Sequence, residues 1–340
     1  MAGVRIGIAG VGRIGAMHAA NAVTTPGVSS VVLADVDAGR ARAVAGGLGA
    51  EVAAGGAQLL RSGIDGLVVA TGTAEHPALV EAAVDAGIPV LCEKPVAPDV
   101  ASSLPLLAHV AARGGVVRVG HQRRFDRGYA EAKRALDAGE LGWLHALRAV
   151  TCDQTPPPVA FIATSGGLFR DCSVHDVDVI RWLTGREVVE VVARGSNNGD
   201  PAIGGVGDVD SAAALLVLDD GTLATLGASR YNGAGHDVRL ELQGSRGSLV
   251  VGLDERSALR SAEPGVTFPA GTPHTTFAER FADAYRAELA AFADLVAGTG
   301  GEQLCTPEDA VAASAVADAL QRSLEEGAPV RVEPLAVAAR

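Results

Sequence analysis

The chain has 340 residues, 48% of them apolar, enough for two domains if each runs about 100–200 residues. Its formal net charge of −12 excludes nucleic acid as the main partner, because phosphate binding needs a Lys/Arg surplus. No run approaches the roughly 18 apolar residues of a membrane helix, and the apolar start lacks a basic leader segment and is broken by Gly10, Gly12 and Gly15. The 4 cysteines show no C-x-x-C spacing, so no zinc motif or disulfide framework is expected and a reducing cytoplasm fits best.

Residues 4–9 read as a short buried strand and 13–22 as a helix. Strands follow at 29–34, 64–70, 89–92 and 115–119, alternating with helical stretches at 38–47, 76–86 and 99–112. Apolar runs alternating with helical periods predict a parallel sheet covered on both faces. Beyond about residue 120 the rhythm changes. A helix is expected at 129–138, stopped by Gly139, then an extended segment at 143–153 and a helix at 174–183 closed by Gly185. Strand-like runs at 188–193, 211–218, 222–229 and 237–243 follow without crossover helices, which predicts an antiparallel sheet. Asp220-Gly221 is a two-residue hairpin signal, and amphipathic helices at 277–297 and 307–325 close the chain. The fold class expected is α/β, with a doubly wound parallel sheet at 1–122 and an α+β domain at 123–340.

Gly10-Val11-Gly12-Arg13-Ile14-Gly15 is a G-x-G-x-x-G that follows a strand and opens a helix, the context of a dinucleotide site. Gly10 permits the turn, Gly12 lets the backbone approach a pyrophosphate, and Gly15 lets helix and strand pack closely, leaving free N–H groups toward the anion. Asp35, 20 residues after Gly15, ends the second strand, where a carboxylate accepts from ribose hydroxyls and repels a 2′-phosphate. NAD is therefore expected rather than NADP; a helix-capping role for Asp35 or Asp37 is compatible with this. Lys94, after the strand at 89–92, sits at a carboxyl edge where such sheets bind ligands, though on the pattern alone a surface lysine is the default. Asp171 and His175, four residues apart at the entrance of a helix, share one face. A base for alcohol oxidation and its orienting carboxylate fit that spacing, and so do a helix cap and a core histidine. His175, Asp176 and Asp178 point in different directions from a helix, so no metal site is expected.

Taken together, Gly10-to-His18, Glu93-Lys94-Pro95, Val119-to-Asp126 with Tyr129, Gly166-to-Asp171 with His175, Asp176 and Asp178, and Glu279-to-Phe292 resemble the glucose–fructose oxidoreductase/inositol dehydrogenase/rhizopine-catabolism (Gfo/Idh/MocA) family, nearest its inositol 2-dehydrogenase branch. The resemblance implies a Rossmann domain followed by an open-faced, mainly antiparallel sheet, paired into homodimers or homotetramers. It implies NAD-dependent oxidation of a ring hydroxyl of a cyclitol or sugar, with His175 as base and Asp171 and Lys94 binding substrate and assisting proton transfer. Thr71, Thr73 and His76 are implied to pass the cofactor and Glu93 to border its nicotinamide. Gln122, Arg123, Asp153, Cys172 and His236 make up the rest of the implied substrate side. Cys152, Cys172-Ser173-Val174 and His236 stand where inositol-type members usually carry Arg, Met-Thr-Ile and Tyr. These changes raise an aminocyclitol or amino sugar as an alternative substrate. A non-catalytic NAD/sugar sensor and an NAD-dependent lyase or hydrolase are further alternatives; the retained Lys94, Asp171 and His175 speak against the sensor.

Overall fold

The structure, a computed structural model, describes residues 3–335. Two compact units divide the chain: one holds the described residues up to Phe125 together with Asp283–Val311, the other Asp126–Ala282 and the described residues from Ala312 on. Among the described residues no helix is long and apolar enough to cross a membrane.

In the first unit six strands pair in parallel: β1 (Val4–Ala9), β2 (Val28–Ala34), β3 (Glu51–Val52), β4 (Gly66–Val69), β5 (Val90–Glu93) and β6 (Val117–Gly120). Their spatial order is β3-β2-β1-β4-β5-β6. All of β4 and all of β1 except Arg5 are buried, as strands covered by helices on both faces require. Strand order reverses between β1 and β4, which opens a crevice at the carboxyl ends where such sheets take their ligands. The two residues of β3 and the helix Gly56–Leu60 went unpredicted, being shorter than any hydrophobic period can register.

One domain is expected from residue 123 on, whereas Asp283–Val311 belongs to the first unit. The helix Ala282–Ala297 buries Leu289 and Phe292 in the same core as Ile6 and Val68. It lies over Gly66, where an added Cβ would come within 2.6 Å of Val296 and 3.2 Å of Phe292. The helix expected at 277–297 is interrupted at Phe281, leaving a separate short turn, Phe277–Arg280.

The second unit is built on β7 (Leu144–Cys152), β8 (Val188–Ser196), β9 (Ser211–Leu218), β10 (Leu223–Ser229), β11 (Asp237–Gly244), β12 (Ser248–Val251) and β13 (Val330–Arg331). The order is β12-β11-β7-β10-β9-β8-β13. Only β7 with β10 is parallel and every other pair is antiparallel. Period-two alternation is plain on β9, where Ala214, Leu216 and Leu218 are buried and Ala213 and Leu215 face out. Leu215, Leu223 and Val250 remain exposed on these strands. The Asp220-Gly221 turn is longer than expected. Leu218 N–H donates to Thr222 O at 2.9 Å and Gly221 has φ 85°, so three residues form the loop and the last takes the left-handed conformation.

Candidate active site

In the first unit the glycine turn leads directly from β1 into the helix Arg13–Ala22. Gly10 has φ +85°, and a Cβ on Gly15 would fall 1.9 Å from Gly10 O, so helix and strand touch as only glycine allows. Gly12 caps the helix, and an added Cβ there would meet nothing within 4 Å. No acidic side chain occupies the helix's first turn. Open space, bare N–H groups and a helix N-terminus together suit an anionic pyrophosphate. Arg13 is exposed beside this turn and Ile14 half-buried.

Asp35 follows β2 and is nearly buried, its side chain 5% exposed. Oδ2 accepts from Val11 N–H and Oδ1 from Asp37 N–H, both at 2.8 Å, so the carboxylate braces the glycine turn. A carboxylate offers about four acceptor positions, which leaves capacity for ribose hydroxyls. Arg40 is also present, 3.8 Å from both Asp35 and Asp37, although the sequence puts no arginine immediately after Asp35.

Thr71 and Thr73 are half-buried after β4. His76 is 1% exposed, and its ring spans Pro95 O at 2.8 Å and Thr71 O at 3.2 Å. It therefore clamps the loop after β4 to the loop after β5. Glu93 ends β5, with Oε1 2.6 Å from Nε2 of the fully buried His18. Burial pushes the Glu93 carboxyl upward, but the His18 hydrogen bond and the nearby Lys94 and His76 outweigh it and hold the group below the usual carboxylate range. Lys94 is half-buried and joined to Pro95 by a cis bond. Gln122 and Arg123 lie in the tight turn after β6, 4% and 3% exposed.

In the second unit strand register does the gathering. Cys152, the last residue of β7, stands opposite Ser229 on β10 and Asp237 on β11. The next residues at that edge are Asp153, Arg230 and His236. Asp153 Oδ1 lies 3.2 Å from His236 Nδ1, and its Oδ2 lies 4.0 Å from Cys172 Sγ. His236 and Cys172 are buried, while Asp153 keeps a quarter of its side chain exposed. Burial first, then the carboxylates of Asp237, Asp176 and Asp153 against the opposing Arg239, push the Cys152 thiol up to about 11, so it stays protonated at neutral pH.

Asp171 lies in a π-helical turn, Phe169–Ser173, that runs into the helix Val174–Thr184. Such wide turns recur at functional sites. From 171 to 181 every residue is buried except Asp171 and His175. The four-residue spacing thus presents one carboxylate and one imidazole, and little else, at the surface of an otherwise buried stretch. Asp176 is taken up internally, accepting from Thr151 Oγ1 at 2.8 Å.

Arg230 escaped the sequence reading. It is fully buried, with Nη1 3.3 Å from Asp171 Oδ2 and Nη2 2.8 Å from Asp208 Oδ2. Its one sequence signal is an arginine immediately after an apolar strand, a position that usually marks a solvated end.

Family models match most of the chain: an oxidoreductase-family NAD-binding Rossmann fold at residues 4–121 and an oxidoreductase-family C-terminal alpha/beta domain at 133–332. Myo-inositol dehydrogenase Hyg17 of Streptomyces leeuwenhoekii is 41% identical over 295 residues, 86% of this chain and 88% of that protein. The scyllo-inositol 2-dehydrogenase (NAD(+)) of Bacillus subtilis is 36% identical over 97% of this chain and 96% of its own. Among solved structures, scyllo-inositol dehydrogenase from Lactobacillus casei with bound NAD(H) and scyllo-inositol superposes with a TM-score of 0.86 at 30% identity, covering 97% of this chain and 99% of that one.

Proposed function

The chain belongs to the Gfo/Idh/MocA oxidoreductase family, and on that premise we propose that it is an NAD-dependent dehydrogenase that oxidises a ring secondary hydroxyl of a cyclitol to a ketone. NAD, when bound, supplies the acceptor for the hydride that leaves the ring carbon. The open Gly12, the glycine-packed helix start and the braced Asp35 fit that cofactor. His175 takes the hydroxyl proton, a role suited to an imidazole whose ordinary pKa is about 6.5. Asp171 orients substrate and ring, and Lys94 donates to the reacting oxygen. Thr71, Thr73, His76 and Glu93 shape the cofactor side. Gln122, Arg123, Asp153, Cys172 and His236 hold the remaining hydroxyls.

The observation that carries this reading is the isolation of Asp171 and His175 as the two unburied residues of 171–181. The experiment is NADH formation from NAD with purified protein and myo-inositol, scyllo-inositol, glucose and an aminocyclitol. Turnover of an inositol is the expected result, and silence across every cyclitol sinks the reading. An amino-bearing ring is the second reading, favoured by two partly exposed carboxylates in one unit, Asp153 and Asp171. Homodimers or homotetramers in the cytoplasm complete the proposal, supported by Leu215, Leu223 and Val250 on the open strands and to be checked by light scattering.

A further inference from the structure

Arg230 has 0% exposure, and an arginine almost never reaches that state without paired charges. Asp208 alone would pair it. That carboxylate is itself 5% exposed and holds Nη2 at 2.8 Å. Yet the other guanidinium nitrogen reaches past this partner to Asp171, 18% exposed, at 3.3 Å. Asp208 also accepts from Leu168 N–H at 3.0 Å, and Leu168 stands at the head of the π-helical turn that carries Asp171. The contacts close a ring: Asp208 to the start of the turn, Arg230 to Asp208, and Asp171, inside the turn, to Arg230. The backbone of Arg230 is fixed too, its N–H donating to Asp210 O at 2.7 Å.

We infer that Arg230, backed by Asp208, is a positioning residue that fixes the direction of the Asp171 carboxylate for substrate. The inference rests on the proposal that Asp171 binds the cyclitol. The guanidinium's planar fork gives each carboxylate its own nitrogen, so the shorter Asp208 bond sets the plane and Asp171 is aligned to it. Other groups about Asp171 are Cys172, whose thiol faces Asp153, His175 one turn onward, and Arg170, which is drawn away to Asp318 at 2.5 Å. Arg230 thus holds Oδ2 of this carboxylate.

The test is steady-state NADH formation by the full-length protein with an inositol, beside NAD binding. Arg230→Lys, which keeps the charge and loses the fork, should raise KM for inositol about tenfold with kcat within about threefold and NAD affinity unchanged. Asp208→Asn, which frees the guanidinium from its anchor without touching Asp171, should raise KM in the same direction, and the double variant should add little to either single one. An unchanged inositol KM in folded Arg230→Lys and Asp208→Asn overturns the inference. If the unaltered protein turns over no cyclitol, the activity proposal fails instead, and the crystal structure of Arg230→Lys decides the positioning: an Asp171 carboxylate turned from its present direction supports it, and an unmoved one overturns it.

Discussion

Nε2 of His18 lies 2.6 Å from Oε1 of Glu93, joining the helix that begins at the glycine turn to the strand end that leads into Lys94. The edge of the Tyr285 ring closes over the imidazole, centroids 5.9 Å apart at 80°. This buried pair makes the cofactor turn and the lysine loop one piece of structure.

A pH dependence follows. Glu93 is held below its usual range, His18 being the chief cause of the lowering against a larger opposing push from burial. A depressed carboxylate stabilises the fold fully above its unfolded pKa of about 4.3, and that stability is lost as pH falls through the lower folded value. Glu93→Gln should flatten the stability loss in that acid window and cost about 1–3 kcal/mol at neutral pH by weakening a buried charged hydrogen bond. Thermal unfolding from pH 3 to pH 7 measures both; parallel curves for the two proteins would refute the assignment.

His175→Ala should lower kcat about 10²–10⁴-fold, the usual contribution of a general base. NAD binding, followed by fluorescence, should stay within twofold. Near-normal turnover in this variant would remove His175 from the chemistry.

Cofactor choice tests Asp35. With its carboxylate gone and Arg40 already 3.8 Å away, Asp35→Ser should improve NADP use relative to NAD by tenfold or more, about 1.4 kcal/mol. The ratio of kcat/KM values for the two cofactors is the measurement. The same residue braces Val11 N–H, so a modest fall in the thermal midpoint should accompany the switch.

His236→Phe removes the ring nitrogen that faces Asp153 and should raise KM for the ring substrate several-fold while leaving kcat within about twofold. A fall in kcat at unchanged KM would mean that the imidazole acts in the transition state and not in binding.

The parallel sheet was legible because buried strands and helices leave opposite periodicities, and the glycine turn because it sits between them. Asp171 and His175 were visible as a spacing, but that spacing alone did not separate a site from a cap and a core histidine; the burial of everything between and beyond them is what favours the proposed roles. The β7–β10 parallel pair was hidden because local pattern reports strands and not their partners. Arg230 was hidden for a related reason. Its meaning depends on Asp208 and Asp171, which are 22 and 59 residues away and meet it only in the folded chain.

Phe292 and Leu289 complete the core beneath Gly66, yet they are made long after the sheet they cover. During synthesis domains ordinarily fold from the N-terminus onward. Here the dinucleotide unit has no finished interior until the ribosome has passed residue 311, by which time nearly all of the substrate unit's strands exist. Birth order and completion order are therefore reversed: the half that starts first is the half that must wait.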